Sequence, residues 1–151
     1  MLLLWSQSNR LELPFSKIVK SKEETALLAS EFADEISPGD VIVLNGQLGA
    51  GKTFFIKQTL LKLGIDNVNS PSFAIINEYK GKIKYYHADF YRLKNIKELY
   101  DIGWQDYLKE DEAVVFIEWG NLLPAALPNK RLEIEIILNE DFSREFNFKL
   151  C

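Results

Sequence analysis

The segment that most constrains the fold is residues 46–53, which read GQLGAGKT. They match the pattern G-x-x-x-x-G-K-[ST] at every fixed position. The preceding residues 41–44 are a continuous Val-Ile-Val-Leu run, which predicts a strand buried on both faces, as in a parallel sheet. Residues 52–63 predict a helix that Gly64 closes. A glycine-rich loop between a buried strand and a helix indicates an α/β domain.

The chemistry of this loop is that of a phosphate-binding site. Its glycines allow successive backbone N–H groups to point inward at phosphate oxygens. The helix N-terminus that follows adds a favourable dipole. Lys52 supplies a positive charge to the β- and γ-phosphates, and the Thr53 hydroxyl is a ligand for magnesium. The loop therefore predicts binding of a nucleoside triphosphate.

The rest of the chain predicts a sheet covered by helices. Ser21 and Glu24 form a capping box before a run of apolar residues at helical spacing, and Asn95 is expected to cap a helix that runs towards Leu108. Further extended segments are predicted at residues 11–19, 73–79, 83–88, 113–117, 131–138 and 144–150, with 73–79 and 83–88 paired as a hairpin. The predicted fold is α/β, P-loop NTPase-like and three-layered, with a mixed parallel/antiparallel sheet in a single domain over residues 1–151.

Two carboxylates are candidates to work with the loop. Enzymes that hydrolyse a nucleoside triphosphate on a phosphate-binding loop need an acidic residue near the metal ion, usually at the end of a neighbouring strand. Glu118 follows the predicted strand 113–117 and emerges at its carboxyl end, where ligands bind in α/β sheets. Asp89 ends the second hairpin strand. Each residue is a candidate to hold Mg²⁺ or to orient the attacking water. The alternative for each is a solvated carboxylate at the end of a strand. The pattern favours a functional role more clearly for Glu118 than for Asp89.

Three further positions have both a functional and a structural interpretation. Trp119 either stacks on a base, closes the site over the phosphates or is a partly buried core aromatic. His87 is the one histidine in the sequence, and a lone histidine is more often a hydrogen-bonded structural residue than a catalyst. Tyr91 and Arg92 either position a phosphate or belong to an ordinary surface ion pair.

Composition narrows the class of protein. A net charge of −4 and a pI near 5.1 do not indicate a protein that clamps nucleic acid by itself. The lone Cys151 excludes an internal disulfide and a cysteine metal cluster. The apolar start of the chain is too short for a signal peptide or a membrane span, and no later run is long enough. The expected location is the cytoplasm, with no membrane partner.

Four segments occur in a characteristic order: residues 48–53 (LGAGKT), 70–73 (SPSF), 87–93 (HADFYRL) and 117–119 (IEW). This ordered set resembles the TsaE (YjeE) family, small bacterial ATPases required for threonylcarbamoyladenosine modification of tRNA. The resemblance extends from the capping box to residues 127–128. The set of four is specific, whereas the loop alone is shared by many nucleotide-binding proteins.

The resemblance implies a role for particular residues. Thr53 and Glu118 match the magnesium-binding positions of the family, and Asp89 matches an acidic residue needed for ATPase activity. Trp119 matches the tryptophan beside the nucleotide site. Lys22 falls where the family contacts the nucleotide, although it matches no strict motif. The ATP-binding loop of the family corresponds to Leu48, Gly49, Ala50, Gly51, Lys52 and Thr53.

We therefore expect Lys52 to be catalytic together with the two carboxylates. Residues 70–73 match a switch-like loop near the γ-phosphate. Ser72 stands where the family usually has Thr, which keeps a hydroxyl, and Gln47 stands where it usually has Asp, which removes a charge. The resemblance assigns no residue among 142–144 to the C-terminal nucleotide contacts of the family.

The resemblance also implies cofactors and partners. ATP and Mg²⁺ are the expected cofactors, and the expected partners are the TsaD and TsaB proteins. That pair transfers the threonylcarbamoyl group to adenosine in tRNA, and TsaE-like proteins use ATP hydrolysis to reset it between turnovers. Contact with tRNA is expected to be indirect or weak. The acidic pI agrees with binding that is mainly to protein.

Three other classes of protein contain the same phosphate-binding loop. A P-loop small-molecule kinase commonly uses arginines in a mobile lid, whereas the four arginines here are dispersed along the sequence. A GTPase is disfavoured because the chain has neither an Asn-Lys-x-Asp stretch nor an Asp-x-x-Gly after the hairpin. A nucleotide-sensing module with little turnover is not separated from an ATPase by sequence.

Overall fold

The computed structural model describes residues 12–69 and 74–151. Seven strands form one sheet in the order β1-β7-β6-β2-β5-β4-β3. The strands are β1 (Phe15–Val19), β2 (Val41–Gly46), β3 (Ile76–Lys80), β4 (Lys84–Asp89), β5 (Ala113–Glu118), β6 (Leu132–Leu138) and β7 (Arg144–Leu150). The predicted switch-like loop 70–73 lies outside the described residues, as do residues 1–11.

The centre of the sheet is parallel and its edges are antiparallel. β2 pairs in parallel with both β5 and β6, and β4 pairs in parallel with β5. β3, β7 and β1 each pair antiparallel with their neighbours. The carboxyl ends of β2, β4, β5 and β6 therefore lie at one edge of the sheet, which is where ligands bind in folds of this class. The predicted mixed sheet is confirmed.

Helices cover the two faces of the sheet, which gives three layers. α1 (Lys22–Ala33) and α2 (Lys52–Lys62) pack on one face with alternate residues of the central strands, such as Leu44 and Phe116. The other face carries α3 (Lys97–Asp101), α4 (Trp104–Leu108) and two short 3₁₀ turns, and its core includes Val43. Both faces of the central strands are buried, which explains their unbroken apolar sequences.

The predicted capping box begins α1. The Ser21 side chain accepts a hydrogen bond from the Glu24 backbone N–H at 3.1 Å. The Glu24 carboxylate reaches back to the backbone N–H of Lys20, one residue before the cap. A side-chain bond of this kind satisfies a donor that the first helical turn leaves without a partner. The start of α1 is thus set by local sequence, and it places Lys22 in the first turn.

The helical region 95–108 differs from the prediction. Two short helices replace the single one, because Gly103 adopts a left-handed conformation (φ 77°) between them. Ile96 is the cap residue of α3, and no side chain caps that helix, so the role predicted for Asn95 is wrong. None of the helices in residues 12–69 and 74–151 combines the length and apolar character that a membrane crossing requires.

Candidate nucleotide-binding site

The loop after β2 needs its glycines for two different reasons. Gly46 lies so close to β6 that a Cβ atom there would stand 2.6 Å from the carbonyl oxygen of Ile136. Gly49 (φ 83°) and Gly51 (φ 109°) have backbone angles that side-chain-bearing residues rarely adopt. The Ala50 N–H donates to the Gln47 carbonyl at 3.0 Å, which closes the turn. The loop therefore has the tight, glycine-dependent course that a phosphate cradle requires.

The first turn of α2 is open to an anion. Gly51 is the cap residue and offers no side chain to the free N–H groups of the helix. The first turn contains no acidic residue. Uncapped N–H groups at the N-terminus of an eleven-residue helix favour negative charge at this point.

Lys52 is held at the site rather than extended into solvent. Its ammonium group donates to the carbonyl oxygens of Gly46 at 2.6 Å and Gln47 at 3.1 Å. Nζ also lies 4.0 Å from the centroid of the Trp119 ring, within cation–π range. Burial lowers the pKa of Lys52, while the nearby Glu118 and Asp89 carboxylates act in the opposite direction. The positive charge is therefore poorly hydrated and available for a phosphate.

Thr53, Glu118 and His87 form a hydrogen-bonded chain beneath the loop. The Thr53 hydroxyl lies 2.9 Å from each carboxylate oxygen of Glu118. His87 Nε2 lies 2.6 Å from Glu118 Oε2. The Glu118 side chain is 3% exposed and that of His87 is 0% exposed, so the carboxylate depends on these partners. The two residues predicted to bind metal are thus in direct contact.

Asp89 lies beside this chain in a different environment. It pairs with Glu118 across β4 and β5 but is only half-buried. Its Oδ1 accepts the backbone N–H of Tyr91 at 2.9 Å. Burial raises the pKa of Asp89 and the Glu118 charge adds to this, whereas the Tyr91 N–H opposes it. The two carboxylates are adjacent but differ in exposure and partners.

Trp119 stands over the site at the end of β5. Its backbone is left-handed (φ 61°, ψ 33°), which is uncommon outside glycine and often marks a functional position. One side of the ring meets Lys52, and Tyr91 packs against it with ring centroids 4.9 Å apart. The ring is partly buried and lies beside Lys52 of the loop.

These residues line a cavity of about 620 Å³. The volume suits a nucleotide, since ligand pockets measure about 300–1,000 Å³. Of the residues predicted at the site, the lining includes Lys22, Leu48, Gly49, Gly51, Lys52, Thr53, Asp89, Glu118 and Trp119. Ala50 is fully buried behind the loop and does not line it. Sequence reasoning had no strict motif for Lys22, yet the structure brings it to the same cavity.

Arg144 is a site residue that sequence reasoning missed. It begins β7, and its Nε donates to the carbonyl oxygen of Ala50 at 2.7 Å. Its Nη2 lies 3.5 Å from the carbonyl oxygen of Gly49. Arg92 also lines the cavity, so two arginines that are dispersed in sequence meet there. No local pattern marks Arg144, because only the pairing of β7 with β6 brings it to the loop.

The donor atoms present suit Mg²⁺. Thr53 and Glu118 offer hydroxyl and carboxylate oxygens, which are ligands that this hard cation prefers. Across the described parts of the chain, no three His, Cys, Asp or Glu side chains gather as a self-sufficient metal site. Magnesium commonly takes one or two protein ligands and completes its shell with water and substrate phosphates. The site thus fits a metal ion that arrives with a nucleotide.

Comparison with known proteins places the chain in a family. A family model described as threonylcarbamoyl adenosine biosynthesis protein TsaE matches residues 19–146. Two relatives are named tRNA threonylcarbamoyladenosine biosynthesis protein TsaE. The Bacillus subtilis protein is 43% identical, over 83% of this chain and 79% of its own length. The Treponema pallidum protein is 35% identical, over 85% of this chain and 95% of its own.

A solved structure supports the same assignment. The crystal structure of Bacillus subtilis YdiB matches with a TM-score of 0.74 and 36% identity, over 89% of this chain and 83% of that one. The fold predicted from the strand–loop–helix pattern is therefore shared with a known protein. With the family model covering most of the sequence and the fold agreeing, this chain belongs to the TsaE family.

Proposed function

We propose that this protein is a magnesium-dependent ATPase that acts in threonylcarbamoyladenosine modification of tRNA, in the cytoplasm. The observation that carries the proposal is the meeting of Lys52, Thr53 and Glu118 at one loop. These are the positive charge, the hydroxyl and the carboxylate that triphosphate hydrolysis on a P-loop uses. A bound magnesium ion would supply neutralisation of charge on the β- and γ-phosphates.

The two carboxylates have different surroundings, which supports a division of roles. Both oxygens of Glu118 face Thr53, and one also contacts His87. We therefore assign Glu118 to magnesium binding together with Thr53. Asp89 lines the cavity and keeps a raised pKa, because burial disfavours its charged form. A raised pKa makes the Asp89 carboxylate a stronger proton acceptor than an ordinary aspartate. We assign the orientation of the attacking water to Asp89.

The hydrogen bonds of Lys52 are expected to change when a phosphate group binds. In the structure two of the three N–H donors of Lys52 go to the Gly46 and Gln47 carbonyls, which are neutral acceptors. Phosphate oxygens carry charge and form stronger hydrogen bonds with an ammonium group. Lys52 is therefore expected to exchange carbonyl acceptors for phosphate oxygens when ATP binds.

The proposed partners are the TsaD and TsaB proteins. Exposed apolar side chains stand around the mouth of the cavity or close to it along the chain: Leu48 is 72% exposed, Tyr91 is 50% and Phe142 is 79%. Large exposed apolar residues beside a functional site are typical of protein-binding surfaces. The relatives of this chain are themselves named as proteins of tRNA modification. The acidic pI of this chain supports a protein partner over direct tRNA binding.

The test is release of inorganic phosphate from ATP, with and without the TsaD–TsaB pair. Thr53→Ala and Glu118→Ala are each expected to lower the rate at least about tenfold, since each removes a predicted metal ligand. Glu112→Ala is the matched control, because Glu112 is exposed and lies just before the opposite end of β5.

Two results contradict the ATPase proposal. One is no phosphate release by the wild-type protein with both partners present, which favours a nucleotide-sensing module. The other is an unchanged rate in both site variants. Transfer of the γ-phosphate to a small molecule instead of water would support the kinase alternative.

A further inference from the structure

We propose that His87 is a positioning residue, which holds the Glu118 carboxylate in the orientation that magnesium binding needs. This inference rests on the proposed ATPase function, because it concerns the same metal site. His87 touches neither the loop nor Thr53 among the hydrogen bonds of the described residues, and its effect would therefore pass through Glu118.

The sheet places the imidazole beside the carboxylate. β4 and β5 run parallel, with His87 opposite Phe116 and Asp89 opposite Glu118. Residues two apart on a strand point to the same face, so His87 and Asp89 share the face that carries Glu118 and α2. His87 Nε2 then lies 2.6 Å from Glu118 Oε2. Strand register, rather than a flexible loop, sets this contact.

The environment of His87 does not suit a residue kept for packing alone. The side chain is 0% exposed, and Nδ1 has no hydrogen-bond partner among the described residues. A buried nitrogen without a partner destabilises the folded state, whereas an apolar side chain of similar size would not. Within the described parts of the chain, the side-chain hydrogen bond that His87 makes is the one with Glu118. A role of this hydrogen bond in orienting the Glu118 carboxylate explains why a histidine is buried here.

The carboxylate needs a partner that does not change with the metal. Thr53 contacts both Glu118 oxygens, but its hydroxyl is itself a predicted metal ligand. His87, by contrast, is not a predicted metal ligand, so its contact with Glu118 is expected to persist when the ion binds. Partners of this kind orient ligating groups, and their loss typically weakens metal binding about 10- to 100-fold. To donate to the Glu118 oxygen, the ring must carry a proton on Nε2.

The experiment compares two amide variants of the full chain. In His87→Gln the side-chain N–H₂ falls near the position of Nε2, so it can still donate to Glu118. In His87→Asn the amide is one carbon shorter and does not reach. Tyr85→Leu is the control, because Tyr85 is buried on the same strand and the same face but lies opposite Val114, and the side-chain hydrogen bonds of Glu118 in the described residues go to Thr53 and His87.

Binding of the non-hydrolysable analogue AMPPNP is measured by calorimetry, in EDTA and over a magnesium titration. The expected result is a magnesium midpoint about 10- to 100-fold higher in His87→Asn. His87→Gln should stay within a few-fold of wild type, and Tyr85→Leu should not shift the midpoint. AMPPNP affinity in EDTA should change less than twofold in all three variants. Thermal unfolding of each variant separates these effects from loss of structure.

Several outcomes overturn the inference. One is an unchanged magnesium midpoint in His87→Asn. Another is a rise of the midpoint in His87→Gln as large as that in His87→Asn. A matching shift in Tyr85→Leu, or an equal loss of AMPPNP binding in EDTA, assigns His87 a structural role only. If wild-type protein binds AMPPNP without any dependence on magnesium, the proposed function itself fails. That result is distinguishable because it needs no variant.

Discussion

Arg144 provides the most direct test of how the loop is held. Its side chain crosses from β7 to the loop and lies within 4 Å of where a Cβ on Gly51 would stand. Replacing it with Ala removes both donors to the loop carbonyls at Ala50 and Gly49. The loop would then keep its glycine-dependent turn but lose these hydrogen bonds from β7. The phosphate cradle should become less ordered before a nucleotide binds.

The structure sets the size of this effect. The Nε bond at 2.7 Å is charge-assisted, and such bonds contribute about 1.5–3 kcal/mol. The Nη2 contact at 3.5 Å is at the limit for a hydrogen bond and adds little. Because Arg144 is half-buried, we expect the lower end, about 1.5 kcal/mol. If the loop must be ordered to bind, this corresponds to about a tenfold loss of affinity.

The assay is calorimetric binding of AMPPNP with magnesium, together with urea unfolding. Arg144→Lys should recover little, since a single ammonium group does not reproduce the planar donor geometry of arginine. Arg131→Ala is the matched control, because Arg131 also donates to a carbonyl, that of Pro128, but at the opposite end of the sheet. It should lower stability without weakening nucleotide binding. Wild-type affinity in Arg144→Ala would refute the reasoning, as would an equal loss in Arg131→Ala.

Three further substitutions test packing and charge. Gly46→Ala should lower stability by about 1–3 kcal/mol and weaken AMPPNP binding, because the new Cβ would meet the backbone oxygen of Ile136; unchanged binding would contradict this. Gly120→Ala should cost a similar amount, measured by urea unfolding, because its Cβ would lie 2.4 Å from a Val43 methyl; wild-type stability would contradict this. Asp89→Asn should stabilise the protein at pH 7. The raised pKa means that the folded state binds this proton more tightly, so stability falls as pH rises from about 4 through that pKa. The advantage of the variant, followed by thermal unfolding, should shrink towards pH 4, and no gain at pH 7 would contradict the argument.

Much of the fold could be predicted because its signals are local. The loop motif depends on eight consecutive residues, and the capping box depends on the three-residue spacing between Ser21 and Glu24. Buried parallel strands have continuous apolar sequences, which marked the strands before the loop and before Glu118. The division of the helix after residue 95 was missed, since a glycine inside a helical pattern is often tolerated and the left-handed angle at Gly103 depends on packing.

The sequence by itself determined the strand–loop–helix unit, the mixed sheet and most of the candidate site, including Lys52 and Thr53. Each follows from spacing along the chain or from residues placed at strand ends. Only the tertiary structure decided how distant groups meet. Thr53 and Glu118 are 65 residues apart, and Arg144 and Ala50 are 94 apart. Contacts of that kind depend on strand order and register, which no local pattern encodes, because the same strands could pair in several orders with equal local preference.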